Sequence, residues 1–293
     1  MKPAYLIILL VMNFFWSGVY CAYKVIGQEH LQSGGIVTLR FGLAGLCLAM
    51  CWPWLPGPAP RGGDLAKTCL MGFLLYGLGQ RMQVYGNQLG TASNSAVLVG
   101  LDPVLTSVAA ALFLHERVGP RRLAGFALGL AGVALLNRVW RADFQWTGLG
   151  ASLAFVLSFV CEAAYSVMGK PIVARASIMK MLALSLLAGT ALNLLVDGPR
   201  TLAAARMLGG GAWLLLWLLA VVCTAIGYSL WFMVIRECPI NVAALTIFAQ
   251  SVFGVLLAAV WLRERLHWGH LLGGATIAAG LALGLSRQVK KGR

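Results

Sequence analysis

The chain reads as an all-α polytopic membrane protein, with ten transmembrane helices arranged as two inverted five-helix repeats around a central cavity. Three observations predict this. Hydrophobic residues make up 60% of 293 residues and charged ones 11%, with a mean hydropathy of +0.82, which leaves too little polar surface to wrap a water-soluble globule. The stretch from Gly79 to about Leu136 is written again from Gly227 to about Leu283. Each copy carries an odd number of spans, so the second must enter the bilayer from the side opposite to the first.

At an offset of 148 residues (264 − 116) the copies match without a gap at Gly79/Gly227, Ala96/Ala244, Leu114/Leu262, Glu116/Glu264, Arg117/Arg265, Leu123/Leu271, Gly125/Gly273 and Gly132/Gly280. A ~30 Å hydrocarbon core takes about 20 helical residues. Stretches of that order fall at 4–27, 33–55, 65–86, 92–115 and 120–140, and again at 146–170, 176–196, 209–235, 240–263 and 268–287. The expected units are therefore 1–140 and 141–293, joined by a polar linker at 138–146. Pro- and Gly-rich turns at 56–63, Asp197-Gly198-Pro199 and Gly119-Pro120 punctuate the spans. No small-residue cleavage pattern follows the first apolar run, which is read as a span and not as a signal peptide.

The net charge of +14 would point to nucleic acid in a soluble protein. Here Lys and Arg collect in the gaps between apolar runs, without interleaved exposed aromatics, so they mark topology and anionic-lipid contact and no nucleic-acid partner is expected. With a cytoplasmic N-terminus, the inner loops and ends hold Lys2, Arg61, Lys67, Arg117, Arg121, Arg122, Lys170, Arg175, Lys180, Arg236, Arg287, Lys290, Lys291 and Arg293. The outer loops hold only Arg138, Arg141, Arg200, Arg206, Arg263 and Arg265. Both termini are thus expected inside, in a multi-pass protein that works as a monomer. The seven cysteines lie mostly in apolar runs without metal spacing and are expected to stay unpaired.

In lipid, polar residues recurring at helical spacing should face protein or water. The first span carries Asn13, Trp16, Ser17, Tyr20 and Lys24; the third, Tyr76, Gln80, Gln83 and Asn87; the sixth, Ser158, Glu162 and Tyr165; the eighth, Thr224, Tyr228 and Trp231. The fourth and ninth add Ser95, Asp102, Thr246 and Gln250. Tyr76, Gln80 and Gln83 fall on Thr224, Tyr228 and Trp231 at the offset, so both copies turn one stripe inward. Any single Ser or Thr is adequately explained as interhelical glue, but the combined set points to a wet cavity. The fifth and tenth spans are different. They carry Gly125, Gly129, Gly132 and Gly273, Gly280, Gly284, a spacing for close helix packing at the periphery.

Glu162 lies deep in a span, where an unpaired charge costs at least ~2.5 kcal/mol. It is either a proton- or amine-binding carboxylate or a structural partner to a buried donor. Pro103 after Asp102 marks a hinge or a packing kink in mid-helix. Lys24, Arg40 and Arg81 fall in the outer halves of their spans, where they either snorkel or form a cationic outer vestibule. Glu116 and Glu264 are read as caps of the helices that follow them. His267 and His270 have no third ligand nearby, and His115-Glu116 lacks the second His of a zinc-protease motif. No metal site, cofactor or enzyme signature is expected.

Asn13-Phe14-Phe15-Trp16-Ser17 with Lys24, Leu39-Arg40-Phe41, Ala92-Ser93, Asp102-Pro103, and the duplicated Glu116-Arg117/Glu264-Arg265 with their following glycines resemble the drug/metabolite transporter superfamily, specifically its ten-helix EamA-type members. Within it the chain is most similar to bacterial aromatic amino acid exporters. The resemblance implies a ten-helix basket in the bacterial inner membrane that exports amino acids, related metabolites or drugs. One departure is Ser251, which stands where the first copy has Pro103, so the halves are not expected to bend alike. The expected function is a secondary transporter exporting small amphipathic metabolites, aromatic amino acids foremost, by alternating access. Trp16, Tyr228 or Trp231 would stack on the substrate, and Gln80, Gln83 and Gln250 would hydrogen-bond it. The alternatives are a nucleotide-sugar or phosphorylated-metabolite exchanger built on Lys24, Arg40 and Arg81, and, from another class, a membrane-embedded enzyme or scaffold.

Overall fold

The computed structural model describes residues 2–29, 31–89, 97–142, 148–261 and 267–286, with backbone alone at 258 and 261, and its regular structure is entirely helical. The helices are α1 (Pro3–Ser17), α2 (Val19–Gly27), α3 (Ser33–Met50), α4 (Gly63–Gly72), α5 (Gln80–Leu89), α6 (Asp102–Phe113), α7 (Pro120–Asn137), α8 (Leu149–Val173), α9 (Ile178–Ala205), α10 (Gly210–Leu218), α11 (Gly227–Glu237), α12 (Ile240–Leu245), α13 (Ala249–Trp261) and α14 (Trp268–Leu285). Several are parts of longer rods. A π-helical stretch, Phe73–Gly79, joins α4 to α5, a second, Leu219–Ile226, joins α10 to α11, and a 3-10 turn, Thr246–Phe248, joins α12 to α13.

Among the described residues, seven stretches are long and apolar enough to cross a membrane: Pro3–Gly27, Ser33–Met50, Leu149–Val173, Ile178–Ala205, Gly210–Glu237, Ile240–Leu257 and Trp268–Leu285. Val97–Phe113 is apolar but shorter. Burial is inside out relative to a protein in water. Leu195, Val260 and Leu271 are 85%, 83% and 71% exposed, while Asn13, Asn193 and Thr224 are fully buried. Apolar side chains on the outside cost nothing when the solvent is hydrocarbon, and the polar ones must then find partners within. Trp54, Trp140 and Trp268 stay exposed, with Trp140 and Trp268 6.0 Å apart, as interface anchors do.

α7 and α14 run antiparallel against each other along their glycines. A Cβ on Gly125 would stand 2.9 Å from the Gly280 carbonyl oxygen, and one on Gly132 would stand 2.8 Å from that of Gly273. Backbone meets backbone there, and only glycine fits.

The end of the bundle that holds the N-terminus is closed by a polar cluster. His115 takes a left-handed turn (φ 56°) that brings Glu116 back across the bundle. Glu116 Oε1 accepts from Lys170 Nζ (2.8 Å) and the Ile240 amide (2.8 Å), and Oε2 accepts from the amide (3.1 Å) and Nδ2 (2.9 Å) of Asn241. Glu116 is thus a helix cap, as its position before a helix predicted, but of α12 and not of α7. The turn precedes α7 in sequence while the free N–H groups nearest in space are those of α12. Glu264, its match, lies outside the described residues.

Pro103 stands at an interruption of the helical stretch Val97–Phe113, which turns at Gly100 and Leu101. Its helix begins at Asp102, so the proline sits in the first turn, where its missing N–H breaks no ladder bond. The matching region of the other copy, which has no proline, still changes course through the Thr246–Phe248 turn. The expected turn at Asp197-Gly198-Pro199 is a kink inside α9, centred on Asp197 at φ −143°, ψ 20°.

Candidate functional site

The interior of the bundle holds a narrow cavity with about 420 Å³ of unfilled space, counting its mouth, lined by Trp16, Val19, Tyr20, Arg40, Gln80, Gln83, Val99, Asp102, Glu162, Tyr228 and Gln250. The polar lining residues arrive on many different helices. Trp16 and Tyr20 lie one turn apart across the break at Gly18 between α1 and α2, Arg40 comes from α3, and Gln80 and Gln83 from α5. Asp102 opens α6, Glu162 is mid-α8, Tyr228 starts α11 and Gln250 starts α13.

The two π-helical stretches shape this wall. An i→i+5 register loosens the regular ladder, and each stretch offers a carbonyl to a neighbouring side chain. Trp16 Nε1 donates to the Cys223 carbonyl (2.7 Å), and Asn193 Nδ2 donates to that of Tyr76 (2.8 Å). Gly227 makes room for the indole, since a Cβ there would lie 2.9 Å from Trp16 Nε1. Trp16 then leans on Tyr228 with ring centroids 5.4 Å apart. Tyr76, Tyr165 and Tyr228 pack edge to face behind it, which fixes the Tyr228 ring.

The charged groups are only partly satisfied by protein. Arg40, just 3% exposed, donates from Nε to Thr224 Oγ1 (2.9 Å) and from Nη1 to the Tyr23 hydroxyl, and its guanidinium also lies over the Tyr23 and Phe41 rings. Glu162 Oε1 accepts from the Tyr228 hydroxyl (3.1 Å), and Asp102 Oδ1 accepts from Thr106 Oγ1 (3.1 Å). Among the described residues no ion pair joins Arg40 to either carboxylate.

Other residues expected in the cavity stand behind it or elsewhere. Asn13 joins Thr246 (3.1 Å) and Gln250 (2.8 Å) in a buried network that holds α1 to α13. Trp231 donates to Ser166 Oγ (3.1 Å), Tyr165 pairs with Ser185 (3.0 Å), and Ser17 bonds the Phe14 carbonyl on its own helix. Tyr76 is fully buried and Thr224 is the seat of Arg40. Ser95 lies outside the described residues.

The expected vestibule trio does not assemble. Arg40 stands in the central cavity, and Arg81 is held by Asn193 Oδ1 (3.0 Å) and Asp197 Oδ2 (2.8 Å). Lys24 lines a separate, wider opening with Tyr23, Gly27, Gln28, Leu31, Gln32 and Gln88. Sequence reasoning missed Tyr23, which lines the wider opening and bridges two residues of the central cavity, accepting from Arg40 and donating to Gln80 Oε1 (3.4 Å). Its spacing of seven from Trp16 was the available signal.

Helices of membrane-spanning length enclosing a polar, aromatic-walled cavity, with no group of three or more metal-ligating side chains among the described residues, define a membrane protein built to hold a small polar solute. A model of the EamA-like transporter family matches residues 3–138 and again 149–286, and the chain belongs to that family. It is similar to a probable terminal-alkyne amino-acid exporter of Streptantibioticus cattleyicolor, at 25% identity over 96% of this chain and 93% of the relative. It is equally similar to an uncharacterized transporter of Archaeoglobus fulgidus, at 25% identity over 96% of this chain and 97% of the relative. A solved crystal structure shares the fold, with a TM-score of 0.75 at 20% identity over 97% of this chain and 96% of that one.

Proposed function

We propose that this transporter is a secondary exporter of small amphipathic metabolites, aromatic amino acids foremost, working in the bacterial inner membrane by alternating access. The observation that carries the reading is the cavity wall. Trp16, Tyr20 and Tyr228 supply flat apolar faces and Gln80, Gln83 and Gln250 supply donors and acceptors, contributed by both parts of the chain that match the family model. An apolar ring with a polar head is the solute such a wall complements. The name of the Streptantibioticus relative, an amino-acid exporter, supports the same class.

The finer architecture we propose is ten spans in two inverted repeats, 1–140 and 141–293, acting as a monomer with both termini cytoplasmic. The crossed glycine contacts support the inversion. Exchanging positions by 148 residues turns Gly125·Gly280 into Gly273·Gly132, the pattern that a two-fold axis between antiparallel copies produces. The stretches Gly63–Leu89 and Val97–Phe113, together with Pro120–Asn137, would complete ten.

The test is flux of labelled phenylalanine into liposomes carrying the purified protein, with and without an imposed pH gradient. Saturable flux that falls at least about tenfold in a Trp16→Ala, Tyr228→Ala double variant is expected. Unchanged binding and flux in that variant, shown to be folded, would remove the aromatic wall from the mechanism. The phosphorylated-metabolite alternative has less support, since Arg81 is engaged by Asp197 and Arg40 shares its cavity with two carboxylates.

A further inference from the structure

We infer that the central cavity is a clamp for an unmodified α-amino acid zwitterion, with the carboxylate on Arg40 and the ammonium on Glu162 and Asp102. The inference deepens the exporter reading and rests on it. One cation and two carboxylates line a single narrow space, and each keeps an atom in reserve. Arg40 uses Nε and Nη1 on Thr224 and Tyr23, while among the described residues Nη2 has no hydrogen-bond partner, on a side chain that lines the cavity. Glu162 uses Oε1 on Tyr228 and Asp102 uses Oδ1 on Thr106, and among the described residues no donor meets Oε2 or Oδ2.

Opposite charges in a poorly solvated interior attract strongly, and the simplest way to satisfy them is to pair them directly. Here they are held apart by their partners. Tyr23 and Thr224 keep the guanidinium on one wall, and Tyr228 keeps Glu162 on another. Separated poles with free hydrogen-bonding atoms match a ligand that carries its own opposite pair. A guanidinium takes a carboxylate in a fixed fork, and an ammonium has three donors to divide between two carboxylates and an amide oxygen of Gln80 or Gln83. The aromatic faces of Trp16 and Tyr228 then receive the side chain. A dianionic phosphate would meet Glu162 and Asp102, and a simple organic cation would leave Arg40 unanswered.

The chemistry makes both ends of the ligand obligatory, and this is what an experiment reads. Purified full-length protein in nanodiscs is titrated with labelled phenylalanine. The label is then displaced by unlabelled phenylalanine, by phenethylamine, which lacks the carboxylate, and by 3-phenylpropanoate, which lacks the ammonium. Each single-ended analogue is expected to compete at least about tenfold more weakly than phenylalanine. In Glu162→Gln the advantage of phenylalanine over 3-phenylpropanoate should shrink while its advantage over phenethylamine persists. That pattern distinguishes an ammonium seat from a merely structural carboxylate.

Arg40→Gln removes two structural hydrogen bonds as well as the charge, so the analogue series on the unaltered protein decides the matter if that variant fails to fold. Equal competition by either analogue, with phenylalanine still transported in liposomes, would overturn the clamp and leave the exporter standing. Binding and flux of no natural amino acid at all would bring down both.

Discussion

The α7–α14 seam and the central cavity are made from the same pair of matching sequence copies and have gone opposite ways. Where the two seam backbones meet, the residues 148 positions apart are still identical, Gly125 answering to Gly273 and Gly132 to Gly280, although beside them Gly129 answers to Ile277 and Gly284 to Leu136. In the cavity they have parted, with Gln80 against Tyr228, Asp102 against Gln250, and Arg40 and Glu162 against Ala188 and Phe14. Where backbones touch, any side chain collides, so there is no room for the copies to differ. A cavity that holds a ligand with two unlike ends gains from unlike walls. Sameness therefore marks the backbone crossings of the seam, and difference marks the cavity wall.

Substitutions at the seam should show the largest effects. Gly273→Leu drives a side chain into the Gly132 carbonyl and the Leu136 amide, both 2.7 Å from its Cβ, and should cost about 3 kcal/mol or more, read as loss of monodisperse protein after detergent extraction. Gly254→Ala, with nothing within 4 Å, should leave stability level or raise it by up to ~1 kcal/mol; an equal loss at both positions would end the claim that contact keeps the seam glycines.

Glu116→Gln keeps the shape of the helix-capping side chain and removes its charge, and should lower stability by about 2 kcal/mol. Cys238, whose carbonyl shares Lys170 with Glu116, should then react several-fold faster with a maleimide in a background stripped of the other cysteines. Asp197→Asn should cost less, about 1 kcal/mol, because its pair with Arg81 is partly solvated; a thermal melt reads it.

The smallest effect is one of pH. Burial, and then the neighbouring His270 and Arg138, hold the His267 imidazole below its usual value. Folding thus favours the neutral ring, so its contribution is intact above the ordinary histidine pKa of about 6.5 and declines as pH falls below it. The protection of amides at the start of α14 against hydrogen exchange, once the exchange chemistry's own pH dependence is divided out, should fall slightly between pH 7.5 and 5.5, and His267→Ser should flatten that dependence.

Much of this was legible in the residues. Composition and period gave the membrane class, and the shared offset of Gly79, Gly125 and Gly132 exposed the duplication. The stripe through Trp16, Tyr20, Gln80, Gln83, Glu162 and Tyr228 named most of the wall. Partnerships between distant segments were hidden. Hydropathy placed Arg40 and Arg81 near the outer surface because it scores depth along one helix, whereas their positions are decided by Thr224 and Tyr23 in one case and Asp197 in the other. Glu116 was given the right task for a local reason, but the free amides it found belong to α12, a distance in sequence that no local pattern spans.

The π-helical stretches carry a consequence for phase. A π turn takes up one residue more than an α turn, so everything after Phe73–Gly79 and Leu219–Ile226 is rotated by about 100° from where an uninterrupted helix would put it. A single helical wheel drawn through 63–89 or 210–237 is therefore wrong for half of its length. The stripe of Gln80 and Gln83, like that of Tyr228 and Trp231, points inward because of a residue that lies before it. Deleting the extra residue from either stretch would restore a regular helix with the stripe still facing inward, whereas winding the full-length stretch as a regular α-helix would swing an intact set of side chains away from the cavity.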